Sequence, residues 1–130
     1  TVSIHLRRGD FASNPINYVC EPEYYQEALN LLYNVGERDY RFIICSDDMD
    51  YCRKIFGDSE EFYYSANGTE ATDACLMSLC QHHITANSTL GWWSAWLSSI
   101  PDKIVITPKN WWVDAKLNDN DLLPESWIKI

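Results

Sequence analysis

Apolar and polar positions alternate with period two from Val2 to Arg7 and then meet Gly9-Asp10, the pattern of a strand that ends in a turn. Pro22 stands at a first helical position, and Tyr24, Ala28, Leu31 and Leu32 form an apolar stripe that stops near Gly36. The long connection between these elements, Phe11 to Glu21, carries an Asn-Pro step and is placed to cover a ligand.

Arg41 to Cys45 reads as a second strand. Ser46-Asp47-Asp48 is positioned to cap a helix from Met49 to Phe56. Glu61 to Tyr64 predicts a short third strand, Glu70 to Gln81 a helix, and Ile84 to Ala86 a strand ending at Asn87. Leu90 to Ser99 is a helix bearing Trp92, Trp93 and Trp96, and Lys103 to Ile106 is a strand closed by Pro108. The remainder predicts irregular chain with at most a short terminal helix.

Strands and helices that alternate in one domain imply a doubly wound, mainly parallel, five-stranded Rossmann-like α/β sheet with helices on both faces. Right-handed crossovers favour the strand order 3-2-1-4-5. Ligands of such sheets bind beyond the carboxyl ends of the strands, at the switch between strands 1 and 4. The Arg7-Arg8 turn and the Asn87-Ser88-Thr89 turn both fall there.

A length of 130 residues with 46% hydrophobic positions suits one domain with a core. Six Trp and eight Tyr are many for one small core, so some aromatics are expected to face a partner domain or to self-associate. Because the first residue enters a strand almost at once, we expect an excised piece of a longer chain. Nineteen acidic residues against ten basic ones, a net charge of -9, argue against nucleic acid and anionic membrane as partners. No apolar run is long enough to span a bilayer.

Cys20, Cys45, Cys52, Cys75 and Cys80 form no CxxC pair and read as free thiols of a reducing compartment. His82-His83 lacks structural zinc spacing, and Asp47, Asp48 and Asp50 are explained by helix capping without a metal. Asn67-Gly68-Thr69 and Asn87-Ser88-Thr89 are formal glycosylation sequons.

Adjacent guanidiniums at Arg7 and Arg8 repel each other and need anions close by. Asp10 can neutralise one, and a ligand phosphate suits the other. An Arg-Asp network that only holds a loop is the alternative. Ser88 or Thr89 can cap the helix beginning at Leu90, which leaves backbone N-H groups facing the crevice. Opposite Arg7 and Arg8 this forms a pyrophosphate clamp, in a chain with neither GxGxxG nor a Gly-rich GK[ST] loop. Such a clamp suits a nucleoside diphosphate leaving group, whose growing charge fixed donors stabilise.

The segment His5-Leu6-Arg7-Arg8-Gly9-Asp10 resembles the HxRRxD signature of the alpha-1,2-fucosyltransferases, glycosyltransferase family 11. The alpha-1,6- and protein O-fucosyltransferases share it more loosely. FIICSDD at Phe42 to Asp48 and ITANSTLGWWSAWL at Ile84 to Leu97 resemble later blocks of the same family in order and spacing. The resemblance runs from Thr1 to about Pro108. It implies the donor-binding half of a two-domain GT-B enzyme, with GDP-fucose as donor, a galactose-terminated glycan as acceptor, no metal, and an acceptor-binding N-terminal domain absent from this chain.

By matching position, the resemblance implies that Arg7 is catalytic and engages the β-phosphate, with Arg8 supporting it. Asp73 would receive the guanine edge, and Asn87, Ser88 and Thr89 would form the phosphate turn. His5 lies on the same strand face as Arg7 and is expected at the donor site in a structural or backbone-contact role, with general base catalysis as the alternative. A cytoplasmic location is expected if the source is bacterial, with a Golgi membrane as the alternative. A nucleotide-binding module without catalysis and an aromatic protein-interaction domain are the competing functions.

Overall fold

The computed structural model describes residues 1–35, 39–66, 68–114, 116–117 and 121–130. Gly36 and Asn67, the residues expected to end the first helix and to open the first sequon, lie outside the described residues.

The chain begins with β1 (Val2–Leu6), a 3-10 turn at Phe11–Ser13, α1 (Pro22–Val35), β2 (Phe42–Ser46) and α2 (Met49–Phe56). It continues through β3 (Phe62–Tyr64), α3 (Glu70–Ser78), β4 (His82–Ile84), α4 (Thr89–Leu97), β5 (Val105–Thr107) and β6 (Ile128–Lys129). The sheet order is β3-β2-β1-β4-β5-β6, with every pair parallel. The expected order 3-2-1-4-5 is therefore present, with its switch point between β1 and β4.

A sixth strand corrects the five-stranded expectation. Ile128 pairs with Ile106 and Lys129 with Thr107, where irregular chain or a short helix was expected. Two residues are too few for a periodic signal. What holds them is the free edge of β5, reinforced when Ile130 N donates to Thr107 O at 3.1 Å and Lys109 N donates to Ile130 O at 2.7 Å.

Alternation along β1 divides the two faces of the sheet. Val2, Ile4 and Leu6 join one apolar cluster with Tyr25, Ala28 and Leu32 of α1 and Cys52 of α2. His5, offset by one position, lies against Gly91 of α4 on the other face. A smaller cluster of Ala95, Val105 and Trp127 supports the outer end of that layer, with Trp92 packed against it.

Of the elements whose bounds differ from expectation, α3 and β4 moved for identifiable reasons. α3 stops at Ser78 because Gln81 N and His82 N both donate to Thr1 O, at 3.0 and 3.1 Å, which turns the chain into β4. β4 occupies His82–Ile84 and not Ile84 to Ala86, since it is registered on both sides: His83 opposes Ser3 and Val105. Among the described residues, no helix is long and apolar enough to cross a membrane.

Candidate functional site

Beyond the end of β1 the two arginines diverge. Arg7 Nη2 donates to Asp10 Oδ1 at 2.7 Å, and Arg7 Nη1 lies 3.2 Å from Asp47 Oδ2. The other oxygen of Asp47 accepts from the backbone N-H of Arg8 at 2.9 Å. One carboxylate thus holds the turn through its backbone and the Arg7 guanidinium through its charge. Gly9 makes room for it, because a Cβ there would collide with Asp47 Oδ2.

The Arg8 guanidinium turns the other way, 3.7 Å above the ring centre of Tyr51 and 3.7 Å from Asp48 Oδ2. Asp48 also caps α2 by accepting from Tyr51 N at 3.0 Å. The expectation that Asp47 or Asp48 caps α2 resolves in favour of Asp48. Among the described residues, no group of three or more His, Cys, Asp or Glu could hold a metal ion.

Arg7 lines a cavity of about 380 Å³ at the switch point, together with Asn87, Ser88 and Thr89. Its other walls are Phe11 and Asn17 from the connection after β1, Leu90 and Trp93 of α4, Trp111 and Trp112 after β5, and Glu70 at the start of α3. The fold brings Arg7, Asn87, Ser88 and Thr89 together as expected. His5, Arg8 and Asp73 do not line this cavity.

The turn leading into α4 differs in detail from its sequence reading. α4 begins at Thr89 with Ser88 as its N-cap, and among the described residues the Ser88 side chain makes no capping hydrogen bond there. The early N-H groups of α4 therefore keep their donor capacity beside Arg7. Capping by Ser88 or Thr89 of a helix from Leu90 is corrected accordingly.

Asn87 is almost wholly buried, and its side-chain amide is occupied within the protein. Its Nδ2 donates to Tyr18 O at 2.6 Å and to Trp111 O at 2.9 Å, while its Oδ1 accepts from Cys20 Sγ at 3.7 Å. It ties together the two loops that wall the cavity, which also meet where Asn17 bridges Trp112 and Val113 N donates to Ile16 O at 3.0 Å. The same bonds occupy the nitrogen that glycosylation of the second sequon would modify.

His5 is buried under α4, and its Nδ1 has no hydrogen-bond partner among the described residues. Burial lowers its pKa to about 4, with Asp47 opposing and Arg7 reinforcing the shift. It is thus a neutral ring packed beneath the site, and its backbone carbonyl accepts from Tyr25 OH at 3.3 Å. Asp73 sits beyond the ends of β2 and β3, where its Oδ1 accepts from Ser65 Oγ at 2.7 Å. Burial first, and Asp73 second, push the neighbouring Cys45 thiol up to about 12. All five cysteines are free, and Cys75 alone is exposed.

Three contributors escaped the sequence reading. Glu70 stands directly after Thr69, whose side chain accepts from Thr72 N to cap α3, a spacing that carried its own signal. Asp47 reads in the sequence as a helix cap, because its partnership with Arg7 spans forty residues of chain. Trp93 belongs to an aromatic group expected to divide between the core and a partner domain, with no ligand role. It is half exposed and lines the cavity, while Trp92 and Trp96 stack at 5.2 Å on the adjoining side of α4.

The family model described as glycosyl transferase family 11 matches residues 1–130. The chain is 36% identical over its whole length to 47% of the alpha-1,2-colitosyltransferase of Escherichia coli. It is 37% identical, again over its whole length, to 44% of the O-antigen biosynthesis glycosyltransferase WbnK of Escherichia coli. Identity to the mouse galactoside alpha-(1,2)-fucosyltransferase 1 is 30%, covering 75% of this chain and 28% of that protein. The chain thus spans about half the length of the bacterial relatives it matches. No solved structure matches. The cation and helix start at the switch of a parallel sheet agree with what the match across all 130 residues states: the chain belongs to glycosyl transferase family 11.

Proposed function

We propose that this chain is the GDP-fucose-binding part of an alpha-1,2-fucosyltransferase that forms its linkage on a galactose-terminated glycan. Glycosyl transfer follows from the family; the donor, acceptor and linkage are our reading. The observation that carries it is the meeting of Arg7 with the uncapped start of α4 on one cavity. A guanidinium and aligned N-H groups suit a diphosphate, and they gain strength as negative charge grows on the departing group.

In this reading the acceptor hydroxyl attacks the anomeric carbon and releases its proton to solvent or to a base outside these residues, the bond to the β-phosphate oxygen breaks, and GDP leaves with its charge held by Arg7 and the Ser88-Thr89 turn. Asp47 and Asn87 position that machinery from behind. Asp73 remains the candidate for the guanine edge, since a carboxylate accepts from both the ring N-H and the amino group. No metal is required by this scheme. The acceptor is held by a domain outside these residues, and the reaction takes place in the cytoplasm if the source is bacterial.

Titration with GDP, GMP and ADP tests the nucleotide reading, with GDP expected to bind most tightly. Transfer is tested on the whole gene product with GDP-fucose and lactose. One relative is named a colitosyltransferase, so GDP-colitose belongs in the same assay. GDP binding without transfer from either donor would leave a nucleotide-binding module. Absence of nucleotide binding would favour an interaction domain built on the exposed tryptophans.

A further inference from the structure

Within the cavity that holds Arg7, Glu70 is the only acidic side chain among the described lining residues. It is exposed and has no hydrogen-bond or ion-pair partner among them. Its place is fixed, because Thr69 and Thr72 exchange side-chain and backbone hydrogen bonds that close the first turn of α3. The second carboxylate of that turn, Asp73, is engaged elsewhere by Ser65. The two acids at the start of one helix therefore serve different spaces.

A carboxylate facing a cavity whose cation is already paired needs donors from whatever fills the cavity. Phosphate is excluded from contact with it by like charge, which directs a diphosphate toward Arg7 and the start of α4. The groups bonded directly to that diphosphate are the ribose and the transferred sugar. Each presents neighbouring hydroxyls, and a carboxylate can accept one with each oxygen. At the first position of a helix the carboxylate is favoured as an anion, which suits an acceptor of hydroxyl protons.

We propose that Glu70 is a specificity-determining residue that binds a vicinal diol of the sugar nucleotide. This rests on the nucleotide-sugar reading of the cavity. The shared chemistry is a pair of neighbouring hydroxyls, carried either by the ribose or by the transferred deoxy-sugar.

The test is calorimetric binding of GDP, 2′,3′-dideoxy-GDP and GDP-fucose to the wild-type chain, E70Q and E70A, with circular dichroism to verify folding. E70Q keeps the shape and removes the charge, with an expected loss of about tenfold in affinity for a ligand bearing the diol. If GDP and GDP-fucose weaken while the dideoxy compound binds as before, the diol is the ribose. If only GDP-fucose weakens, it is the transferred sugar. Equal affinities in wild type and both variants, or the same loss for all three ligands, would overturn the proposal while leaving nucleotide binding intact. Failure of the folded wild-type chain to bind any of the three would instead overturn the nucleotide reading, and this proposal with it.

Discussion

Asp47 Oδ2 lies 3.2 Å from Arg7 Nη1 while its Oδ1 accepts the backbone N-H of Arg8, so one side chain from the end of β2 sets both the direction of the cation and the turn beneath it. Asp10, the other partner of Arg7, is only three residues away and largely exposed. D47N should therefore weaken GDP binding by about 1–2 kcal/mol, as a charge-assisted pair and a backbone anchor are both compromised. D10N should cost less than half as much, because an exposed pair contributes little. Calorimetry on the two variants checks the ranking, and a larger loss for D10N would contradict it.

Arg7 itself should be worth more than its supports. R7A is expected to reduce GDP affinity by roughly 1.5–3 kcal/mol, and R7K to recover only part of that, since an ammonium does not reproduce a planar fork. Arg8 lies on Tyr51 outside the cavity, so R8A should lower thermal stability more than it lowers affinity. Equal GDP affinities for wild type and R7A would remove the proposed clamp.

Gly91 lets α4 approach β1. A Cβ at that position would stand 2.7 Å from His5 Nδ1 and 3.2 Å from its Cγ. The ring is buried, so G91A should destabilise the fold by about 1–3 kcal/mol. It should also displace the start of α4 and weaken GDP binding beyond what the lost stability explains. Urea midpoints and calorimetry on the same samples separate the two effects.

Burial lowers the pKa of both His5 and His83 to about 4, from an ordinary value of 6.5. The unfolded chain takes up these protons near pH 6.5, whereas the folded chain resists them until about pH 4. Their contribution is complete above pH 6.5 and is lost as the pH falls toward 4. Each histidine accounts for up to about 3 kcal/mol of that loss. Unfolding free energies measured from pH 7 to pH 4 should decline accordingly, and less steeply in H83N; a flat profile would contradict neutral burial.

The alternation of short apolar strands with helices, together with right-handed crossovers, was enough to place Arg7 and Ser88-Thr89 at the same switch point. That inference needs only local periodicity and one rule of connection. Free thiols, the start of α1 at Pro22 and the cap of α2 were legible for the same local reason. β6 was not, because two residues form a strand only when an existing edge offers them bonds.

What each side chain does at the site belongs to another level. Sequence adjacency grouped Arg7 with Arg8, yet the turn sends one to the cavity and the other to Tyr51. The Asn87-Ser88-Thr89 motif suggested three ligand contacts, yet Asn87 faces Tyr18 and Trp111, carbonyls delivered by loops remote in sequence. Glu70 and Asp73 share one helical turn, but only the packing of α3 beside α4 and beyond β3 assigns them to different spaces. By itself, then, the sequence determined the order of elements and the end of the sheet where the chemistry gathers, since periodicity and chirality are local properties. The tertiary structure alone decided which charges meet, because pairs such as Arg7 and Asp47 are brought together by strand register across forty residues.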